Sequence, residues 1–176
     1  FFTINEFSSF VEIGYGMGML APGFKLPPGD VNQVRHHAVL GHGLAVQAIR
    51  ARGRSGTRVG PAEHIIGTAP IIETPENIQA AAKAMRELNA GYMTVTMEGI
   101  YTDAFLARHG ADAPRFTAED LQIISSPVDL IGTNIYMVHA FVEATDAEPG
   151  YELAASSFIV PPPARPYRTT HARAQY

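Results

Sequence analysis

The stretch FFTINEF, Phe1 to Phe7, decides the fold class of this chain, because it has the pattern of a buried parallel strand. Its apolar and β-branched residues occupy both faces, as in strands covered on one side by helices and on the other by a core. A stretch rich in glycine and proline, residues 14–28, follows and is predicted to be an irregular loop. Glu6 therefore lies at the carboxyl end of a predicted strand, where parallel α/β folds bind their ligands.

Helices and strands alternate along the rest of the chain. Apolar residues at helical spacing predict a long helix that begins with Asp30 as N-cap, with Gln33 completing a capping box, and ends at Gly53. The later predicted elements are a strand over 57–63, a helix opened by Thr74 and Pro75, a helical piece over 101–108, a helix capped by Thr117 with Asp120, and a strand over 128–136. This alternation predicts an α/β fold with parallel strand pairing.

Composition excludes several classes of protein. The 176 residues carry a net charge of −4, with 13 Lys+Arg against 17 Asp+Glu, so no basic field is present to attract nucleic acid or an anionic membrane. No apolar run approaches the roughly 20 residues that are needed to span a bilayer. The chain has no cysteine, which excludes disulfides and thiolate metal sites and fits a reducing compartment, so that a cytoplasmic location is favoured.

Several short motifs occur in a fixed order along the chain. They are Thr3-x-Asn5-Glu6, Gly14-Tyr15 with Gly18, Ala21-Pro22-Gly23, His36-His37, His42-Gly43-x-Ala45, Phe116-Thr117-x-Glu119-Asp120-Leu121 and Pro127-x-Asp129-x-x-Gly132-x-Asn134-x-Tyr136. As an ordered set they resemble glycoside hydrolase family 1. The resemblance implies a partial (β/α)8 barrel of about three βα units, an internal fragment with the fourth to sixth strands of the barrel. We expect residues 1–153 to form this partial barrel and residues 154–176 to be an irregular or disordered tail without likeness to the family.

The resemblance also implies a role for particular residues. Glu6 matches the acid/base that protonates the glycosidic oxygen and later activates water, and Asn5 matches the residue that binds the sugar 2-hydroxyl. Tyr136 matches the tyrosine that orients the nucleophilic carboxylate, and Asn134 lies beside it in the sugar site. Tyr15 corresponds to the wall near the leaving group. No cofactor is implied.

The chain departs from the family pattern at the second carboxylate. Retaining hydrolysis requires two carboxyl groups about 5–5.5 Å apart, and the nucleophile belongs to a Thr-Glu-Asn-Gly motif that this sequence lacks. Glu143, Glu148 and Glu152 lie beyond Tyr136 but have other neighbours. The chain also has no tryptophan for a sugar platform, and Phe7 stands where the family motif has a proline after the glutamate.

Other kinds of site fit the residues less well. His36, His37 and His42 share a predicted helix but lack the His-Glu-x-x-His spacing, so core or surface histidines are favoured over a metal site. Gly14-x-Gly16-x-Gly18 neither opens a helix nor precedes the Lys-Ser/Thr pair of a phosphate loop. The serines lie in no Gly-x-Ser-x-Gly elbow. An independent carbohydrate-binding module is disfavoured because such modules are usually β-sandwiches.

The resemblance thus implies part of a β-glucosidase-like enzyme that hydrolyses small β-linked O-glycosides by a retaining mechanism in a longer parent. The alternative is a catalytically silent truncated chain that binds sugar weakly or self-associates. We expect Glu6, Glu63 and Tyr136 to lie near one face of a parallel three-stranded sheet. A slice of a barrel also leaves two strand edges unpaired, which predicts self-association through these edges.

Overall fold

The computed structural model describes residues 1–154 of the chain. The expected tail, residues 154–176, lies outside this range except for its first residue. The strands are β1 (Phe2–Asn5), β2 (Gly60–His64), β3 (Gly67–Pro70), β4 (Gly132–Asn134), β5 (Val138–Ala144) and β6 (Tyr151–Leu153). The α-helices are α1 (Pro28–Arg52), α2 (Pro75–Leu88), α3 (Val95–Glu98), α4 (Asp103–His109) and α5 (Ala118–Ile124). Two π-helices, Ser9–Gly16 and Ala90–Thr94, and a 3-10 turn, Gly110–Asp112, complete the described elements.

The central sheet has three parallel strands in the order β1-β2-β4. Asn5 lies opposite Ala62, and His64 lies opposite Asn134. The carboxyl ends of the three strands therefore meet at one edge of the sheet, as the alternation of strands and helices predicts. The partial α/β barrel architecture is confirmed.

Helix α1 covers one side of this sheet through an apolar core. The cluster combines the residue that follows Glu6 with residues from the helices and their connections. Its buried members are Phe7, Val39, Ala90, Val95, Tyr101, Phe105 and Ile124. Phe7 is 0% exposed and its ring stacks on Tyr92 at 6.0 Å between centroids, so the backbone next to Glu6 is anchored in the core.

A second sheet, in the order β3-β5-β6, was not predicted. Strand β3 pairs parallel with β5, and β5 pairs antiparallel with β6. Helix α2 packs on this sheet through Ala80, Ala81 and Ala84, which contact Val142 and Tyr151. Because β3 reads Gly-Thr-Ala-Pro, it has no apolar alternation, and only its pairing with the distant β5 makes it a strand.

Two predictions of helix starts are confirmed and one is wrong. The Thr74 hydroxyl accepts the Asn77 N–H, and Thr117 forms a capping box with Asp120. Helix α1 begins at Pro28, two residues before Asp30, and has no side-chain cap. Proline is well suited to the first helical turn, because its fixed φ angle is helical and its missing N–H would lack a partner there anyway.

The prediction of an irregular loop over residues 14–28 is wrong in its first part. The π-helix Ser9–Gly16 extends into it, and the chain turns back closely enough that a Cβ at Gly14 would lie 2.5 Å from the Ala21 oxygen. The strand predicted over 128–136 is also shorter, since only Gly132–Asn134 is a strand. Before this strand, the Asp129 carboxylate accepts the Val59 N–H at 2.9 Å. A side chain thus takes the place of a backbone carbonyl as the partner of this N–H group. Within residues 1–154, no helix has the length and apolar character to cross a membrane.

Candidate active site

Glu6 lies immediately beyond β1 in a sharp turn of the backbone. Its φ angle is +51°, in the left-handed region that a residue with a side chain rarely adopts. The Glu6 N–H donates to the Ala62 oxygen at 2.8 Å, which ties the turn to β2. The turn continues into the π-helix, where the Ser9 N–H donates to the Glu6 oxygen at 3.0 Å. The side chain is thereby presented at the carboxyl edge of the sheet.

The Glu6 carboxylate accepts hydrogen bonds from three side chains. Its Oε1 accepts from Asn134 Nδ2 at 2.6 Å and from the Tyr136 hydroxyl at 2.7 Å. Its Oε2 accepts from the Ser9 hydroxyl at 2.8 Å. Asn134 Nδ2 also donates to Asn5 Oδ1 at 3.2 Å. The structure therefore brings together Glu6, Asn5, Asn134 and Tyr136, four of the residues singled out in the sequence.

These hydrogen bonds set the charge state of the group. Donation by Tyr136 is the largest of the effects that lower the pKa of Glu6 below its ordinary value, followed by donation from Ser9 and Asn134. His64 lowers it slightly further by its charge. The same contact raises the pKa of Tyr136. These contacts favour the anionic form of Glu6, the state in which a glutamate accepts a proton.

His64 extends the site and was not predicted. It ends β2, and its ring centroid lies 5.5 Å from that of Tyr136 and 4.8 Å from that of His139. Ser9 was also missed as a partner of Glu6. No motif points to either residue, because their proximity depends on the pairing of β2 with its neighbours and on the π-helix after β1.

Glu63 and Tyr15 lie in other surroundings than the Glu6 carboxylate. Glu63 stands next to the end of β2, but its carboxylate is 1% exposed and accepts hydrogen bonds from residues 7 and 8. Tyr15 lies on the π-helix Ser9–Gly16 and packs on Phe24 at 5.9 Å between ring centroids. In the part of the chain that the structure describes, its side chain has no hydrogen bond with the Glu6 cluster.

The carboxylates beyond Tyr136 belong to the second sheet. Glu143 and Glu152 oppose each other on β5 and β6, and Glu148 lies in the turn between these strands. None of the three hydrogen-bonds to the residues around Glu6. Over residues 1–154, the Glu6 cluster therefore holds one carboxylate.

The histidines of α1 have structural partners. His36 Nδ1 lies 3.0 Å from the Tyr101 hydroxyl, and His42 Nδ1 lies 2.6 Å from the Thr3 hydroxyl. Burial lowers the pKa of His42 to about 4. Within the described residues, no three His, Cys, Asp or Glu side chains are grouped so that they could hold a metal ion.

Comparison with known proteins places this geometry in a family. The sequence profile of glycosyl hydrolase family 1 matches residues 1–158. The chain is 28% identical to beta-glucosidase 1B of Phanerodontia chrysosporium over 145 residues, 76% of this chain and 27% of that protein. It is 29% identical to beta-glucosidase A of Acetivibrio thermocellus over 161 residues, 88% of this chain and 35% of that protein.

A solved structure supports the same relationship. The psychrophilic beta-glucosidase BglU of Micrococcus antarcticus aligns with a TM-score of 0.65 at 29% identity, over 80% of this chain and 30% of that one. The chain thus spans about a third of the length of the relatives it matches. The family match extends to residue 158, beyond the end that was expected for the partial barrel at residue 153. The boundary at residue 153 stays a prediction. The chain belongs to glycosyl hydrolase family 1 and contains a consecutive part of its barrel.

Proposed function

We propose that Glu6 is the acid/base of a retaining β-glycosidase and that the longer protein containing this chain hydrolyses small β-linked O-glycosides. One observation carries the proposal. The Glu6 carboxylate lies at the carboxyl edge of the parallel sheet. It accepts hydrogen bonds from Asn134, the last residue of β4, and from Tyr136, two residues beyond that strand. This edge is where barrels of this kind bind their substrates.

The role of Asn5 follows from its position beside the glutamate. Its Oδ1 is used by Asn134, while its own NH2 group makes no hydrogen bond within the described residues. Asn5 is exposed, so this amide is free to donate to a sugar hydroxyl. A hydrogen bond to the 2-hydroxyl that strengthens as the oxocarbenium ion forms stabilises the transition state. We assign this contact with the 2-hydroxyl to Asn5. Asn134, which donates to both Asn5 and Glu6, orients these two side chains.

In the first step, a carboxylate nucleophile attacks the anomeric carbon while Glu6 gives its proton to the departing oxygen. In the second step, Glu6 takes a proton from water, which attacks the same carbon and releases the carboxylate. The first step needs Glu6 to be protonated, and here its pKa is lowered. A negative nucleophile nearby would raise this pKa and would draw the Tyr136 hydroxyl away from Glu6.

A chimeric enzyme tests this proposal. Residues 1–153 replace the matching segment of the Acetivibrio thermocellus beta-glucosidase A, which supplies the rest of the barrel. Glu6→Gln should lower kcat/KM on phenyl β-glucoside by about 10²–10⁴-fold, the contribution of a general acid. Glu98→Gln, a change to a surface glutamate 39% exposed, is the matched control and should have little effect. A Glu6→Gln chimera that hydrolyses phenyl β-glucoside as fast as the unchanged chimera would remove Glu6 from the mechanism.

The chain alone has a second candidate state, in which it is catalytically silent. The observation that favours it is the single carboxylate of the Glu6 cluster over residues 1–154, where two are needed. We expect that the 176-residue chain does not accelerate the hydrolysis of an aryl β-glucoside above the background rate. Turnover that disappears in Glu6→Gln would show that a second carboxylate of this chain completes the site.

A further inference from the structure

The carboxylate of Glu63 lies behind the turn that carries Glu6. It is 1% exposed, and its Oε2 accepts the Phe7 N–H at 2.5 Å. Its Oε1 accepts the Ser8 hydroxyl at 2.8 Å and lies 3.4 Å from the Ser8 N–H. All of these contacts go to the two residues that directly follow Glu6.

The turn requires such support for two reasons. Glu6 has a φ angle of +51°, a strained conformation for a residue with a side chain, which persists only where its surroundings hold it. Phe7 is 0% exposed, and unlike a proline at that position it has an N–H group, which would be left without a partner in the core. Glu63 supplies the acceptor for this N–H.

Packing alone does not explain a glutamate at this place. Its neighbours Ala62 and Ile65 are buried and apolar, and burial raises the pKa of Glu63, so the site disfavours a charged side chain. The backbone and hydroxyl donors of Phe7 and Ser8 oppose this effect. Glu63 is costly to bury, and the hydrogen bonds that offset this cost come mainly from Phe7 and Ser8, with a smaller contribution from the backbone of His64. The residue therefore supports the short segment that follows Glu6.

We propose that Glu63 is the positioning residue of Glu6: by holding Phe7 and Ser8 from β2, it keeps the left-handed turn that aims the Glu6 carboxylate at Asn134 and Tyr136. The inference rests on the proposed role of Glu6, since positioning matters for catalysis only if Glu6 is the acid/base. The contact itself belongs to this chain and is testable without catalysis.

The test follows the titration of Glu6 by side-chain carboxyl ¹³C NMR in the full chain, with the Glu6 resonance assigned by its loss in Glu6→Gln. Glu63→Gln keeps the shape but replaces one acceptor oxygen by an NH2 group. The matched control is Glu87→Gln, because Glu87 is also buried, at 6% exposure, but accepts from Thr102 and Arg86 and not from the residues of the turn.

The direction of the shift separates positioning from simple electrostatics. Removing a negative charge near Glu6 lowers its pKa, whereas loosening its hydrogen bonds to Ser9, Asn134 and Tyr136 raises it. We expect the Glu6 midpoint to move to higher pH in Glu63→Gln and to stay in place in Glu87→Gln. A midpoint that stays or moves lower in Glu63→Gln, or that rises equally in both variants, overturns the proposal.

The unmodified chain gives a second measurement that does not depend on the folding of a variant. The Phe7 and Ser8 amide resonances should follow the titration of Glu63, and the Glu6 carboxyl resonance should show a second inflection at the same pH. Amides that do not respond at that pH overturn the proposal. Failure of the glycosidase activity of the chimera would leave these results unchanged, so the two proposals fail separately.

Discussion

Gly43 allows α1 to lie directly against α5, and a methyl group at this position should separate the two helices. A Cβ at residue 43 would lie 2.0 Å from the Ile123 oxygen and 2.5 Å from its carbonyl carbon. Both are backbone atoms of α5, so no side chain can rotate away to make room. Gly41 lies on the same helix, and a Cβ there meets nothing within 4 Å.

The pair Gly43→Ala and Gly41→Ala isolates this contact. Each change should gain about 1 kcal/mol from the better helix propensity of alanine. Gly43→Ala alone adds an overpacked contact, which costs about 1–3 kcal/mol or more where backbone must move. We therefore expect Gly41→Ala to be more stable than the unchanged chain, and Gly43→Ala to be less stable than Gly41→Ala by about 1–3 kcal/mol.

Urea unfolding followed by far-UV circular dichroism measures this difference, with all three proteins at one concentration. Because both variants carry the same substitution in the same helix, effects on the unfolded chain cancel to first order. Equal urea midpoints for Gly43→Ala and Gly41→Ala would show that α5 leaves room for a methyl group at residue 43. The close contact, in which a Cβ would lie 2.0 Å from the Ile123 oxygen, would then be contradicted.

Other predictions concern caps, pH and edges. Thr117→Ala should cost about 1 kcal/mol in urea melts and Asp30→Ala clearly less, because Thr117 caps its helix and Asp30 does not; equal costs would argue against the cap assignment. His42 has a folded pKa of about 4 against 6.5 for the free group, so unfolding free energy should fall as pH drops from 6.5 through 4. His42→Gln should flatten this fall, and an unchanged pH dependence would assign it to other groups. The open edges of β1 and β4 should cause self-association at micromolar concentration, helped by the exposed side chains of Phe2 on β1, 60% exposed, and of Ile135 directly after β4, 58% exposed. A clean monomer with a sharp urea transition would contradict this expectation.

Local signals account for the parts of the fold that the sequence predicts well. The caps Thr74 and Thr117 are predicted correctly because a cap can be recognised from four neighbouring residues. The continuous apolar pattern also predicts the strand before Glu6, but the prediction that this strand is buried on both faces is wrong, because β1 is only partly buried and Phe2 is 60% exposed. The start of α1 was misplaced because Asp30 resembles a cap while the Pro27-Pro28 pair sets the helix. Strand β3 was missed since its pairing with β5 joins residues about seventy positions apart.

The residues of the active site likewise fall into those that a local sequence pattern indicates and those that only long-range contacts bring together. Ordered motifs identify Asn5, Glu6, Asn134 and Tyr136, and the structure groups them. The contacts of Glu63 with Phe7 and Ser8 span 56 and 55 residues, so no local pattern could indicate them. These hydrogen bonds matter for stability because Glu63 and Phe7 are buried, and both residues become buried only when β1 and β2 pair.

The dependence of Glu6→Gln on the leaving group tests the role of Glu6 most directly. In the chimera, kcat/KM is measured on phenyl β-glucoside, whose leaving oxygen needs a proton, and on 2,4-dinitrophenyl β-glucoside, whose leaving group departs without one. If Glu6 is the acid, the variant loses about 10²–10⁴-fold on the phenyl glycoside and less than about tenfold on the dinitrophenyl glycoside. Equal losses on both substrates, or no loss on either, would contradict the assignment of Glu6 as the acid/base.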